Sequence, residues 1–385
     1  MKLDYNPNFP DVESLRKQAR RKIPGFAFEY VDGGCNEEVN LRNNTADIRN
    51  VELKPVYLKD FNGVSLNASL FGHTYSAPFG IAPVGLQGLI WPGAPELLAQ
   101  AAYENNIPFI LSTVTTCRIE KIAEITNGQA WFQLYHPAEK HVTDNILERL
   151  EQAGYNVLVL LADVPSFGYR PKEIRNGLAM PPRMTLRNMV QIASRPEWAL
   201  RTLIHGQPEF ATLKPYMPKG MNMHHLGLFM NKTFNGRLTE DKIRYIRDKW
   251  KGKLVIKGIA SEYDAEQACR LGLDGLIVSN HGGRQLDAGE SAIHSLKRVL
   301  KARNADVTVM MDSGIRSGPD IARTLASGAS FTFLGRAFMY GVAALGKDGA
   351  GHTIHILKKQ LQQVMEQLSC HQVGDLPEHL IERSS

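Results

Sequence analysis

The stretch "SNHGGRQLD", residues 279–287, sets an imidazole, His281, and a guanidinium, Arg284, three residues apart with two glycines between them. An imidazole gains or loses its charge near neutral pH, whereas a guanidinium is a permanent cation whose fork matches a carboxylate. A base beside a fixed cation suits an anionic substrate that must give up a proton. The lead-in residues Leu276, Ile277 and Val278 are apolar without alternation, the pattern of a buried parallel strand that ends where the polar residues begin. Gly282 and Gly283 permit backbone conformations closed to other residues and a close approach by a ligand. A lone histidine here would more often be a hydrogen-bonded loop residue than a base, so the choice falls to the rest of the chain.

Eight short apolar segments recur, at 79–83, 108–112, 130–135, 156–163, 253–258, 275–280, 307–314 and 330–336. Amphipathic stretches predict helices between them, at 94–106, 117–126, 139–153, 262–271, 290–303 and 318–327. Strand and helix alternating in this way predict an α/β fold, a (β/α)8 TIM barrel over 61–345, in preference to an open doubly wound sheet. One domain over 1–385 accommodates the remainder: an N-terminal extension (1–60) with a short helix "VESLRKQARRKI", a long insertion between the fourth and fifth strands, and a helical tail (346–385). The insertion occupies 171–240, with 176–236 as its separable part, and is far longer than a usual strand–helix loop.

Of the 385 residues, 43% are hydrophobic and 22% charged, as in ordinary soluble globular proteins. No apolar run approaches the ~18–20 residues of a transmembrane helix, and the N-terminus has no secretory pattern. The cysteines at 35, 117, 269 and 370 lack metal-ligand spacing and read as reduced thiols in a cytoplasmic protein, with no metal site expected.

Active sites of barrels lie at the carboxyl ends of the strands. The unusual polar residues fall there: Ser112, Gln133 and Tyr135, Asp163, Lys257, His281 and Arg284, Asp312, and Gly335 with Arg336. "DSGIRSG" and "LGRAF", after the last two strands, put glycines and arginines where barrels bind phosphate. With Lys257 on the fifth strand, this predicts a phosphate-bearing cofactor. No strand–GxGxxG–helix unit with a downstream acid points to a nicotinamide dinucleotide.

From about residue 10 to residue 380 the chain resembles the FMN-dependent L-2-hydroxy acid dehydrogenase/oxidase family, with "SNHGGRQLD" as the specific signature. "APVGLQGLIWPG", "RPEWALRTLIHGQPEF" and "GDLPEHL" are similar to the membrane-associated (S)-mandelate dehydrogenase branch, and "LSTVTTC" and "MDSGIRSG" to bacterial L-lactate dehydrogenase. The resemblance implies FMN as cofactor and oxidation of a 2-hydroxy acid to the 2-keto acid. It casts His281 as the base, Asp163 as its support, and Arg170 and Arg284 as the substrate carboxylate clamp. Tyr30 and Tyr135 would bond the substrate, and Lys257 would lie against the flavin. Pro83, Val84, Gly85, Ser112 and Gln133 would contact its ring, while Asp312, Gly314, Arg316, Gly335 and Arg336 would hold the ribityl phosphate.

Three positions depart from relatives. Leu161 stands where a threonine usually contacts the flavin, a hydrogen bond worth ~0.5–1.5 kcal/mol. Val114 replaces the tryptophan of glycolate oxidase, and Gly85 an alanine of some relatives, which together enlarge the substrate pocket. Between Arg175 and Arg237 there are nine Lys/Arg and two acids, interleaved with Met, Leu, Trp and Phe. Such a segment suits the surface of an anionic membrane, predicting peripheral association on the inner face through 176–236, with a lid or subunit contact as the alternative. None of the candidate site residues lies inside 176–236, so the segment is expected to be separable from the chemistry. The acceptor expected is a membrane quinone. The alternatives are a soluble oxidase that uses O2 and makes hydrogen peroxide, and, remotely, a non-catalytic FMN-binding barrel. A homotetramer is implied by resemblance; nucleic acid is not expected, because no recognition module accompanies the basic residues.

Overall fold

The computed structural model describes residues 6–178, 184–217, 233–234 and 237–381. A hairpin, β1 (Ala68–Leu70) and β2 (His73–Tyr75), precedes eight parallel strands. These are β3 (Phe79–Ile81), β4 (Ile110–Ser112), β5 (Trp131–Leu134), β6 (Val157–Leu161), β7 (Lys253–Ile259), β8 (Gly275–Val278), β9 (Thr308–Met311) and β10 (Phe331–Leu334). They pair in the order β3-β10-β9-β8-β7-β6-β5-β4. A parallel bridge from Ile81 to Phe109 joins β3 to the residues entering β4 and closes the sheet. This is the expected (β/α)8 barrel, with every strand but β7 somewhat shorter than the apolar run that encodes it, because those runs continue into the rim.

Two buried layers hold the barrel. Ile110, Trp131, Val159, Val255, Ile277 and Phe333 fill its interior, while the helices pack their apolar faces on the outside. The hairpin plugs the amino-terminal end, with Phe71 against Trp131 at 5.6 Å and Tyr75 against Phe331 at 5.7 Å between ring centroids. Polar side chains gather at the other end.

The parallel register of β6 on β7 sets Leu161 opposite Lys257, so Asp163 emerges beside that lysine. The β7–β8 register then shifts between Lys257 and Ile259. Gly258 takes φ +99° there, and a Cβ on it would lie 2.5 Å from the Asp163 Cβ. Only glycine allows this approach.

The N-terminal extension forms the helices Val12–Lys22, Gly25–Asp32 and Val39–Arg49. Asp32 accepts hydrogen bonds from Arg16 and from Tyr340, each at 2.6 Å, which fixes Tyr30 and Gly33 over the barrel mouth. Asn44 donates to Asn280 at 2.8 Å and holds the third of these helices against the loop after β8. The tail is helical as expected, chiefly Gly349–Leu368.

The described part of the insertion is helical: Pro171–Arg175, Leu186–Ala193, Pro196–His205 and a 3-10 turn at Lys214–Tyr216. Of the expected segment 176–236, residues 179–183, 218–232 and 235–236 lie outside the described residues. Few side chains anchor the middle two helices. Asn188 donates to the Asn176 carbonyl at 2.9 Å, and Gln191 accepts from the Phe26 amide at 3.0 Å. Trp198 donates to the Ile90 carbonyl at 3.1 Å and meets Phe26 edge-on at 5.8 Å.

Candidate active site

A cavity of ≈ 450 Å³ opens at the carboxyl ends of the strands, a size suited to a small-molecule site. Every site residue expected from the sequence lines it except Asp163 and Ser112, which stand one layer behind. Ser112 is buried and donates to the Gln133 amide oxygen at 3.3 Å. Asp163 accepts from His281 Nδ1 at 3.0 Å.

That pair defines the base. An ionised carboxylate only accepts, so Nδ1 carries the proton and Nε2 keeps its lone pair. Burial pushes the His281 pKa below its ordinary value, partly offset by Asp163, so the imidazole rests neutral. Burial alone would raise Asp163, but its interaction with His281, whose Nδ1–H it accepts, and the charge of Lys257 outweigh it and hold the carboxyl below the usual range. Burial would likewise lower Lys257, yet Asp312 at 3.1 Å and Asp163 at 3.9 Å keep it raised and cationic. The Ser279 hydroxyl ties the group together, accepting from Lys257 Nζ at 2.8 Å and from the His281 amide at 3.0 Å. Leu86, His281 and Ser313, all on the cavity wall, hold φ of 49°, 58° and 75°. Such strain in non-glycine residues persists only where packing over-determines it, typically at functional sites.

Arg284 and Arg170 form the opposite wall, and their geometry was only half legible. Arg284 Nη1 donates to the Tyr30 and Gly33 carbonyls at 2.7 and 3.0 Å, with its guanidinium 5.1 Å from the centre of the Tyr30 ring. Glu173, which sequence reasoning missed, accepts from Arg284 Nη2 at 2.6 Å and from Arg170 at 3.4 Å. Its one sequence signal is the three-residue spacing from Arg170 at the start of a short helix. Tyr30 and Tyr135 face this wall, and burial raises both phenol pKa values, so each stays a hydrogen-bond donor.

The far end is cationic without an anion. Arg336, 9% exposed, donates to the carbonyls of Val31, Gly282 and Gly33 at 2.8, 3.0 and 2.8 Å. Neither it nor Arg316 makes an ion pair with a carboxylate among the described residues. Burial first, then the charge of Arg316, depresses the Arg336 pKa, a cost that an arriving dianion would offset. A phosphate-bearing flavin fits this end, and the Lys257 cation fits the end of a flavin ring where negative charge accumulates.

The insertion is not separable from the site. Leu178 and Phe210 line the cavity. Phe210, Leu213 and Phe234 form a buried cluster against Leu86, Val114 and Tyr135 of the barrel. The Ala211 amide donates to the Thr115 carbonyl at 3.0 Å. The expectation of independence is therefore corrected: apolar residues late in the insertion fold back onto the rim.

Known proteins agree with this geometry. Residues 19–383 match the family described as FMN-dependent dehydrogenase. L-lactate dehydrogenase of Pectobacterium atrosepticum is 36% identical over 362 residues, 94% of either chain. That of Haemophilus influenzae strain PittEE is 37% identical over 375 residues, covering 97% of this chain and 98% of its own. Among solved structures, the monotopic membrane protein (S)-mandelate dehydrogenase superposes with a TM-score of 0.92 at 32% identity, over 98% of this chain and 100% of that one. Mandelate oxidase superposes with a TM-score of 0.83 at 28% identity, over 97% of this chain and 98% of that one. Likeness that runs nearly end to end, and includes the barrel mouth, makes this chain a member of the FMN-dependent dehydrogenase family.

Proposed function

We propose that the protein oxidises an L-2-hydroxy acid to the 2-keto acid, using FMN, and passes the electrons to a membrane quinone. The observation that carries this reading is the neutral His281, backed by Asp163 at 3.0 Å, in one cavity with the Arg284–Arg170 wall. Bound FMN supplies the acceptor for the two electrons of the substrate. Pro83, Val84, Gly85, Ser112 and Gln133 would hold its ring, and Asp312, Gly314, Arg316, Gly335 and Arg336 its phosphate end. Arg284 and Arg170 bind the substrate carboxylate, Tyr30 and Tyr135 donate to its oxygens, and Nε2 of His281 takes a proton from it. Asp163 then stabilises the imidazolium. Gly85, Val114 and Leu86 leave an apolar space for the substrate side chain, in keeping with lactate- to mandelate-sized acids.

Membrane association is supported by the outer faces of the helices Leu186–Ala193 and Pro196–His205. Leu186, Met189, Val190, Leu200, Leu203 and Ile204 are between 58% and 80% exposed, with Arg187 and Arg201 exposed among them. An apolar face rimmed by cations suits an interfacial segment on anionic lipid. No helix among the described residues is long and apolar enough to cross a membrane, so the reading is peripheral attachment to the inner face of the cell membrane. Three of the nine basic residues counted in the insertion, Arg183, Lys219 and Lys232, lie outside the described residues.

The test mixes substrate-reduced protein with a quinone analogue or with air-saturated buffer in stopped flow. Faster reoxidation by the quinone is expected; faster reoxidation by O2, with peroxide formed, would make the protein an oxidase.

A further inference from the structure

The substrate wall contains one acid that the proposed chemistry does not use. Glu173 bridges Arg284 at 2.6 Å and Arg170 at 3.4 Å, with all three side chains largely buried. A guanidinium has five N–H donors. Those on Arg284 Nη1 go to the Tyr30 and Gly33 carbonyls, and one on Nη2 goes to Glu173. What remains is Nε–H and one Nη2–H. Arg170 is committed more fully: Nε donates to the Arg284 carbonyl at 3.3 Å, Nη1 to Glu173, and Nη2 to Gln285 at 3.0 Å. Two cations and one internal carboxylate leave a net charge of one, enough for one carboxylate.

We propose that Glu173 is a positioning and specificity residue, which orients the Arg284 fork and limits the site to 2-hydroxy acids with one carboxylate. This rests on the 2-hydroxy acid reading. The rest of the reach of the substrate is apolar, with Leu86, Val114, Leu178 and Phe210 on the cavity wall. A second carboxylate would meet these side chains, or Glu173 itself, with no further cation among the described residues of this wall to receive it, since Arg316 and Arg336 lie at the phosphate end. Removing the charge of Glu173 would leave the two guanidiniums with a net charge of two, enough for a second carboxylate.

The test compares four-carbon pairs: L-2-hydroxybutanoate with L-malate as substrates, and butanoate with succinate as unreactive ligands read by the absorption of bound flavin. Wild type should favour the monocarboxylate of each pair by more than about 10-fold. Glu173→Gln should narrow that preference at least about 10-fold, mainly through KM and Kd of the dicarboxylate. Glu173→Asp, which restores the charge, should restore the preference. Equal use of both acids by wild type would overturn the proposal. So would a Glu173→Gln protein in which both fall together and the ratio stays, since Glu173 would then be only structural. Should Glu173→Gln fail to fold, the wild-type and Glu173→Asp preferences decide. If no 2-hydroxy acid bleaches the flavin, the reading beneath fails; if 2-hydroxybutanoate bleaches it and the ratios do not move, only the role of Glu173 fails.

Discussion

The cavity wall and the outer face of the insertion reverse the usual placement of side chains in opposite senses. At the cavity, charge is buried: Lys257 is 3% exposed and Arg336 9%. On the insertion, apolar side chains face outward: Leu203 is 80% exposed and Leu186 77%. Ordinary folding energetics favour neither arrangement. Lys257 is balanced inside the chain by Asp312 and Asp163, but Arg336 and the outward leucines are balanced by nothing among the described residues, and an anion in the first case and an apolar surface in the second would complete them. Phe210 and Leu213 join the two regions, since they belong to the insertion but pack on the rim.

The sharpest way to break this comparison is to remove the base. His281→Ala should keep its flavin and lose at least ~10²-fold in the rate of flavin reduction by substrate, measured by anaerobic stopped flow. A near-normal rate would take the buried charges out of the chemistry. Next in size, Arg284→Lys keeps the charge but loses the fork, and should cost about 10-fold or more in kcat/KM with the fold intact by circular dichroism. The methyl ester of the best acid should be correspondingly poor, and equal turnover of acid and ester would remove the clamp.

Acid should sharpen the account of the base. Burial lowers the His281 pKa, so the reduction rate should fall with pH only below the ordinary imidazole value of about 6.5. The sign for stability follows: the unfolded imidazole takes its proton first, so His281 erodes stability as pH drops from about 6.5 towards the lower folded value, and not above it. A rate midpoint above 7 would contradict the neutral resting base.

The other side of the comparison yields a smaller effect on the chemistry. Leu203→Glu with Ile204→Glu should abolish salt-sensitive binding to anionic vesicles while leaving reduction by substrate within about 2-fold, because surface substitutions away from the site rarely matter more. If vesicle binding persists and the oligomeric state changes instead, the face is a subunit contact. The smallest effect belongs to Leu161→Thr: a new flavin hydrogen bond worth ~0.5–1.5 kcal/mol should shift FMN affinity by about 10-fold at most, read by fluorescence on dilution.

What was legible in the sequence followed from local rules. Parallel strands buried on both faces read as unbroken apolar runs, and the polar residue that ends each run, such as Lys257 or Asp312, must lie on the barrel rim. The site residues missed are those whose role depends on contacts between distant parts of the chain. Glu173 reaches Arg284 across 111 positions, and nothing around "RPKEIR" marks that pairing. Phe210 sits in a stretch without strand–helix periodicity, so its return to Val114 and Leu86 appears only in three dimensions. The N-terminal extension read as a preliminary to the barrel. Through Asp32, Arg16 and Tyr340 it is instead the clamp that sets Tyr30 over the mouth.

The central claim is that the buried charges serve oxidation of a hydroxy acid by a bound flavin, and an anaerobic titration tests it most directly. Purified protein should be yellow. Addition of an L-2-hydroxy acid from the series glycolate, lactate, mandelate and longer homologues should bleach the flavin band, with the D enantiomer inert and the colour restored by a quinone analogue. Colourless protein that takes up no FMN, or a flavin band unchanged by every acid in the series, would contradict the account.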